Sequence, residues 1–190
     1  FNRIRLFMVS IMLILYTTYI GTWDTLNYHN LILILISGFI GIFLGDTLLF
    51  IALQKIGPRR NNILFSLAAP FTVLLNIIFL NEIMKIINLI GCFVVFFGVL
   101  IAIIYGSNKN NEHRWEVIEG SLKLGIIMGV LAAFCQALGL IIMKPILDSG
   151  ADPIASAAIR TTISFILLSF TFFLKSENFV SKSKINIKII

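Results

Sequence analysis

Apolar residues run along this chain in long blocks, and polar residues are confined to the short gaps between them. Six blocks have the length of a membrane-crossing helix: roughly Ile4–Trp23, Leu31–Leu53, Ile63–Leu80, Ile83–Tyr105, Leu122–Met143 and Pro153–Leu174. About 20 apolar residues suffice for a helix to cross the hydrocarbon layer. A seventh block begins at Lys184–Ile190, where the chain stops. The connections are Thr22–Asn30, Gln54–Asn62, Asn81–Glu82, Gly106–Ser121, Lys144–Asp152 and Lys175–Ser183, which leaves no room for a soluble catalytic domain. The pattern predicts an all-α integral membrane protein, a polytopic helical bundle.

Composition agrees. The 190 residues are 58% hydrophobic and 13% charged, and the mean hydropathy is +0.99. A soluble domain of this size needs far more polar surface. The first block is too long for a signal-peptide core and lacks a small-residue cleavage site, so it reads as a true span. Because the chain starts at Phe1 and ends inside an apolar run, it is expected to be a fragment of a longer protein.

The net charge of +6 changes the picture less than it first suggests. The charges sit in loops and at span ends, which implies lipid contact and topology rather than nucleic-acid binding. Of the 15 lysines and arginines, 12 fall on one side: Arg3, Arg5, Lys55, Arg59, Arg60, Lys109, Arg114, Lys123, Lys175, Lys182, Lys184 and Lys188. Only Lys85, Lys144 and Arg160 fall on the other. By the positive-inside rule the first side, including the long linker, faces the cytoplasm. Within the linker, Arg114 and Trp115 suit the headgroup level. Cys92 and Cys135 lie mid-span and read as inert thiols. His29 and His113 have no ligand spacing, and neither metal nor cofactor is implied.

Ionisable groups within spans cost at least about 2.5 kcal/mol at the helix centre, so each needs a reason. Asp46 is either a cavity carboxylate for a cation, proton or substrate, or a structural hydrogen-bonding group. Gly38, Gly41 and Gly45, with Ala52, form a stripe that lets helices approach closely. Gly125, Gly129 and Ala133 form another, and Gly91, Gly98 and Ala102 a third. Pro70 removes a backbone donor and predicts a kink. Asn62, Ser66, Ala69 and Asn76 would share a face beside it, either as a cavity wall or as helix packing. Gln136 either bridges helices or meets substrate. Arg160, with Ser156 and Ser164 one turn to either side, either clamps an anionic group or snorkels toward the interface. Glu82 reads as a solvated helix start.

The stretch GDTLLFIALQKIGPRRNNILFSLAAP (Gly45–Pro70) followed by FLNEIMKIINLIGCFVVFFGVLI (Phe79–Ile101) resembles an EamA-type repeat of the drug/metabolite transporter superfamily. Asn81-Glu82 stands where the family usually has Gly-Glu. The stretch from Gly120 to Leu168 is similar to the first two spans of a second repeat, and Arg160 and Arg5 are similar to the family's Arg-bearing second span. A short echo, IRLFMVSIMLIL (Ile4–Leu15) against IRTTISFILLSF (Ile159–Phe170), points the same way. The resemblance implies spans two to seven of ten: residues 1–106 as a first repeat lacking its first span, 107–120 as a linker, and 121–190 as a truncated second repeat. It implies two inverted five-helix repeats around a central cavity in the plasma or inner membrane. Asp46, Pro70, Glu82, Gly91, Gly98 and Arg160 match motif positions. The family is commonly drawn with both termini in the cytoplasm, which would put the linker outside and contradicts the charge count.

The expected function is export or exchange of a small metabolite by alternating access, with Asp46, Asn76, Gln136 and Arg160 as candidate binding or coupling residues and Gly45, Pro70, Glu82, Gly91 and Gly98 as architecture. A flippase-like or structural subunit of the same fold is the alternative. An intramembrane enzyme is disfavoured, because Asp46 has no second intramembrane Asp and neither HExxH nor GxSxG occurs.

Overall fold

The structure, a computed structural model, describes residues 2–105 and 121–179. The linker with Arg114 and Trp115, and the run 184–190, lie outside the described residues. Seven α-helices follow one another: α1 (Asn2–Ile20), α2 (Tyr28–Ser37), α3 (Gly45–Phe65), α4 (Ala68–Leu80), α5 (Ile86–Tyr105), α6 (Leu122–Asp148) and α7 (Pro153–Phe179). A 3₁₀ turn at Thr22–Thr25 follows α1, and a π-helical segment, Gly38–Leu44, joins α2 to α3. Five helical stretches are long and apolar enough to cross a membrane, and Ala68–Leu80 is a shorter apolar helix.

α3 is two helices joined by a sharp reversal. Gly57 has φ 77° and ψ 165°, a backbone conformation open essentially to glycine alone. Pro58 follows at the first position of the new helix, where its missing N–H costs nothing. The chain therefore turns back on itself, and both Ala52 and Leu64 come to lie against Gly129 of α6. The second span is Tyr28–Ile56 and the third is Pro58–Leu80, so the expected loop Gln54–Asn62 is a single glycine hinge.

The third span breaks at Ser66-Leu67, one turn before Pro70. Freed groups are satisfied locally: the N–H of Leu67 donates to the Leu64 carbonyl at 3.1 Å, and the Ser66 hydroxyl to that of Ile63 at 2.7 Å. The break shifts the helical phase. Asn62, Ser66 and Ala69 end up exposed while Asn76 is 4% exposed, so the single polar face expected there does not form. α4 ends at Asn81, whose φ of 50° is left-handed. Asparagine is one of the few residues besides glycine that adopts this conformation readily.

α6 is the central post. It packs against α2, the π-helical segment, α3 and α4, while α7 lies along α1 and the π-helical segment. The seams are made by small residues. A Cβ on Gly139 would stand 2.6 Å from the Cα of Gly41, and one on Gly125 would run into Cγ2 of Ile56. Ala52, Ile56, Leu64, Leu67, Val99 and Ala133 form the largest buried cluster. α5 leans on α3 and α4 with most of its apolar surface uncovered. Two positions of its expected packing row find no neighbour among the described residues: nothing lies within 4 Å of a Cβ added at Gly91 or Gly98.

Two glycine substitutions should separate hinge from surface. Gly57→Ala should lower stability by about 1–3 kcal/mol through backbone strain alone, read as a drop in the thermal unfolding midpoint of the purified protein. Gly91→Ala should leave that midpoint unchanged or raise it; an equal loss from both would contradict the hinge.

Candidate functional site

Alternation of the spans gives the bundle two ends. Arg3, Arg5, Lys55, Arg59, Arg60 and Lys123 gather at one, and Lys85 and Lys144 at the other, with Asp24, Glu82, Asp148 and Asp152. The sequence-expected site residues do not converge on one point. They fall into three places and a remainder.

The first place is near the arginine-rich end. Arg5 of α1 donates from Nη2 to Oδ2 of Asp46 on α3, an ion pair between the first and second spans. The Asp46 side chain is 15% exposed and that of Arg5 44%. Neither charge is left alone in the span, and the pair ties α1 to α3.

The second place is the opposite end, and sequence reasoning missed it. α6 continues past Met143 to Asp148, so Lys144 is a helix residue rather than a loop residue. Residues 81–85 are not helical, and Glu82 is held there instead of starting a helix. Lys144 Nζ donates to Glu82 Oε2 and, at 3.2 Å, to Asn76 Oδ1. Asn76 Nδ2 donates to the same Glu82 oxygen. The hydrogen bond from Lys144, and then that from Asn76, hold the Glu82 carboxyl below the usual glutamate range. The only advance signal was the spacing of a lysine one turn before the helix end.

More ties lie beside it. Thr22 Oγ1 donates to Asp152 Oδ2 at 2.5 Å, the Asp152 N–H donates to Thr25 Oγ1 at 3.1 Å, and Asn30 Nδ2 donates to Ser149 Oγ at 3.4 Å. Asp152 also caps α7 by accepting from the N–H groups of Ile154 and Ala155, both at 3.3 Å. The Thr22 hydroxyl is the main reason its carboxyl is held below the usual aspartate range.

The third place is mid-bundle, around Arg160. Its backbone packs on Gly38, and Ser164 Oγ donates to the Arg160 carbonyl at 2.6 Å and the Gly38 carbonyl at 3.0 Å. Its guanidinium lies against Gly41: a Cβ there would stand 3.1 Å from Nη2. Ser37 Oγ donates to the Gly139 carbonyl at 2.6 Å and fixes α6 at the same level. Gln136 is half-buried on α6 and makes no hydrogen bond among the described residues. Gly45 lies in ordinary contact with α6, and Pro70 is buried at the break of the third span.

The model of the EamA-like transporter family matches residues 1–104, more than half the chain. The chain belongs to that family. It is a multi-pass integral membrane protein and a membrane transporter of the drug/metabolite type. No curated protein and no solved structure matches it.

Two outcomes follow for this EamA-like chain. Asp46→Asn strands Arg5 and should cost about 1–3 kcal/mol, less than a fully buried pair because Arg5 reaches water; adding Arg5→Gln should recover part of the midpoint. Equal stability of the wild type, the single and the double variant would rule out an architectural pair. The second concerns acid. A carboxyl held below its unfolded value stabilises the fold above that value and loses the contribution as pH falls through the folded one. The thermal midpoint should therefore drop below about pH 4, and Glu82→Gln should lower the midpoint at neutral pH while removing part of that acid sensitivity.

Proposed function

We propose that the protein is a secondary transporter that exports or exchanges small metabolites by alternating access, and that the conformation described here is sealed at the end that carries Glu82 and Lys144. One observation carries the reading. A row of side-chain hydrogen bonds joins residues 2–105 to residues 121–179 along that half of the bundle: Thr22 and Thr25 to Asp152, Asn30 to Ser149, Asn76 and Glu82 to Lys144, Ser37 to Gly139, and Ser164 to Gly38. Two packing units that rock against each other need a set of contacts that can be made at one end and released in turn. The two units are the parts of the chain before and after the linker, an inverted pair of EamA-like repeats. The positive-inside rule puts the arginine-rich end in the cytoplasm, so the sealed end is the outer one.

A second reading has an observation of its own. An apolar cleft of about 230 Å³ lies between α1, α2 and α7, lined by Ile14, Trp23, Leu35, Ile159, Ile163 and Ile166 among others. An opening of this kind toward the bilayer suits a lipid-handling member of the same fold. Scrambling of labelled phospholipid in vesicles, without solute flux, would favour it.

Carrier and seal can be tested together. Ile141, 7% exposed and one turn below Lys144, is replaced by Cys in a chain whose Cys92 and Cys135 are Ala. A membrane-impermeant maleimide should label it slowly in vesicles. Glu82→Gln should speed labelling severalfold and alter the rate of metabolite counterflow. Labelling that ignores Glu82→Gln would remove the seal, and absence of flux from a broad metabolite mixture would remove the carrier.

A further inference from the structure

Arg160 is a cation inside a span, and it differs from every other charge the structure places there. Arg5 has Asp46. Arg160 has no carboxylate within salt-bridge distance among the described residues, and its Nε is enclosed with no hydrogen-bond partner. An arginine within hydrocarbon is expensive and is ordinarily paired or turned to a cavity.

Snorkelling does not account for it. Arg160 lies seven residues into α7, about 10 Å from the N-terminal end of the helix. Its backbone meets Gly38, but its guanidinium meets Gly41, which is further from that end and at the middle of the second span, Tyr28–Ile56. The side chain therefore reaches toward the bilayer centre and into the bundle, away from the nearest headgroups. Gly41 presents no side chain to the guanidinium, and it lies in a π-helical turn, a distortion that often marks functional positions.

We propose that Arg160 is the recognition group for an oxyanion, the carboxylate or phosphate of a small soluble metabolite, received by the guanidinium at mid-membrane beside Gly41. A planar fork of donors pairs such groups bidentately, and does so most strongly where water is scarce. The proposal rests on the carrier reading and gives its substrate a chemical class.

The test uses the full chain in phosphatidylcholine vesicles, with acetate and inorganic phosphate as probes and acetamide as the uncharged isostere. Acetate or phosphate should raise the thermal midpoint saturably at constant ionic strength, and acetamide should not. Arg160→Gln should weaken that effect by about tenfold or more, and Arg160→Lys should keep part of it. In the wild type, the same anions should slow modification of Arg160 by phenylglyoxal, mapped by mass spectrometry, so the answer does not depend on a variant folding. The proposal is overturned if neither anion stabilises or protects, or if Arg160→Gln binds them unchanged. It is also overturned if added phosphatidylglycerol displaces them, since the site would then hold a lipid headgroup. Vesicles that move uncharged solutes unaffected by Arg160→Gln would keep the carrier and remove this inference; vesicles that bind the anions through Arg160 yet move nothing would do the reverse.

Discussion

The backbone-to-backbone contact of Gly41 with Gly139 is the constraint on which the arrangement rests. Lipid tails are as apolar as leucine, so helices in a bilayer gain little from burying greasy surface and must instead fit closely and share hydrogen bonds. Two glycines opposite each other allow the closest fit available, and the Ser37 hydroxyl bonded to the Gly139 carbonyl at 2.6 Å locks its level. From that contact the rest follows in order. α6 is drawn against the second span along its Gly125 and Gly129 seam, α7 seats its backbone on Gly38, and the Arg160 side chain is left with one direction in which to extend.

Much of this was legible in the sequence, and the reason is the solvent. Hydrocarbon forces every crossing segment to be helical and apolar, so the apolar helices could be read from the pattern of blocks along the chain. The glycine rows at Gly38, Gly41, Gly125 and Gly129 could be assigned to packing for the same reason. What escaped depends on where a helix stops. Read as loop residues, Lys144 and Glu82 had no relation; as the end of a 27-residue helix and an extended turn, they meet. The hinge at Gly57 escaped because a connection between spans was expected to need several residues, while a glycine in a conformation closed to other residues followed by proline needs almost none. Gly91 and Gly98 looked like the other small-residue rows in sequence yet face no described neighbour, since periodicity reports a face and not what covers it.

The four residues expected to line one passage illustrate a different limit. Asp46, Asn76, Gln136 and Arg160 were grouped because each is polar within a span. Cost explains why each needs a partner, but it does not say that they share one. Asp46 is satisfied by Arg5, and Asn76 by Lys144 and Glu82, both within the protein. Of the four, Arg160 is the one charge without a carboxylate partner among the described residues, and that absence carries more weight than polarity itself.

The two polar places left in play are also matched in strength. A carrier must pass between conformations, and a ligand shifts them only by the difference in its affinity for each. A deeply buried ion pair closing one end would demand a large difference. The Glu82–Lys144 pair is not of that kind: both side chains keep access to water, at 40% and 33% exposure, where ion pairs are weak. The same holds for single hydroxyl contacts such as Thr22 to Asp152. The guanidinium at mid-membrane is the opposite case, poorly solvated and unsatisfied, so an anion arriving there changes the energy of whichever conformation receives it. Weak ties at the end and a strong, vacant donor at the centre are the combination that lets a small solute tip a bundle whose remaining contacts are glycine seams.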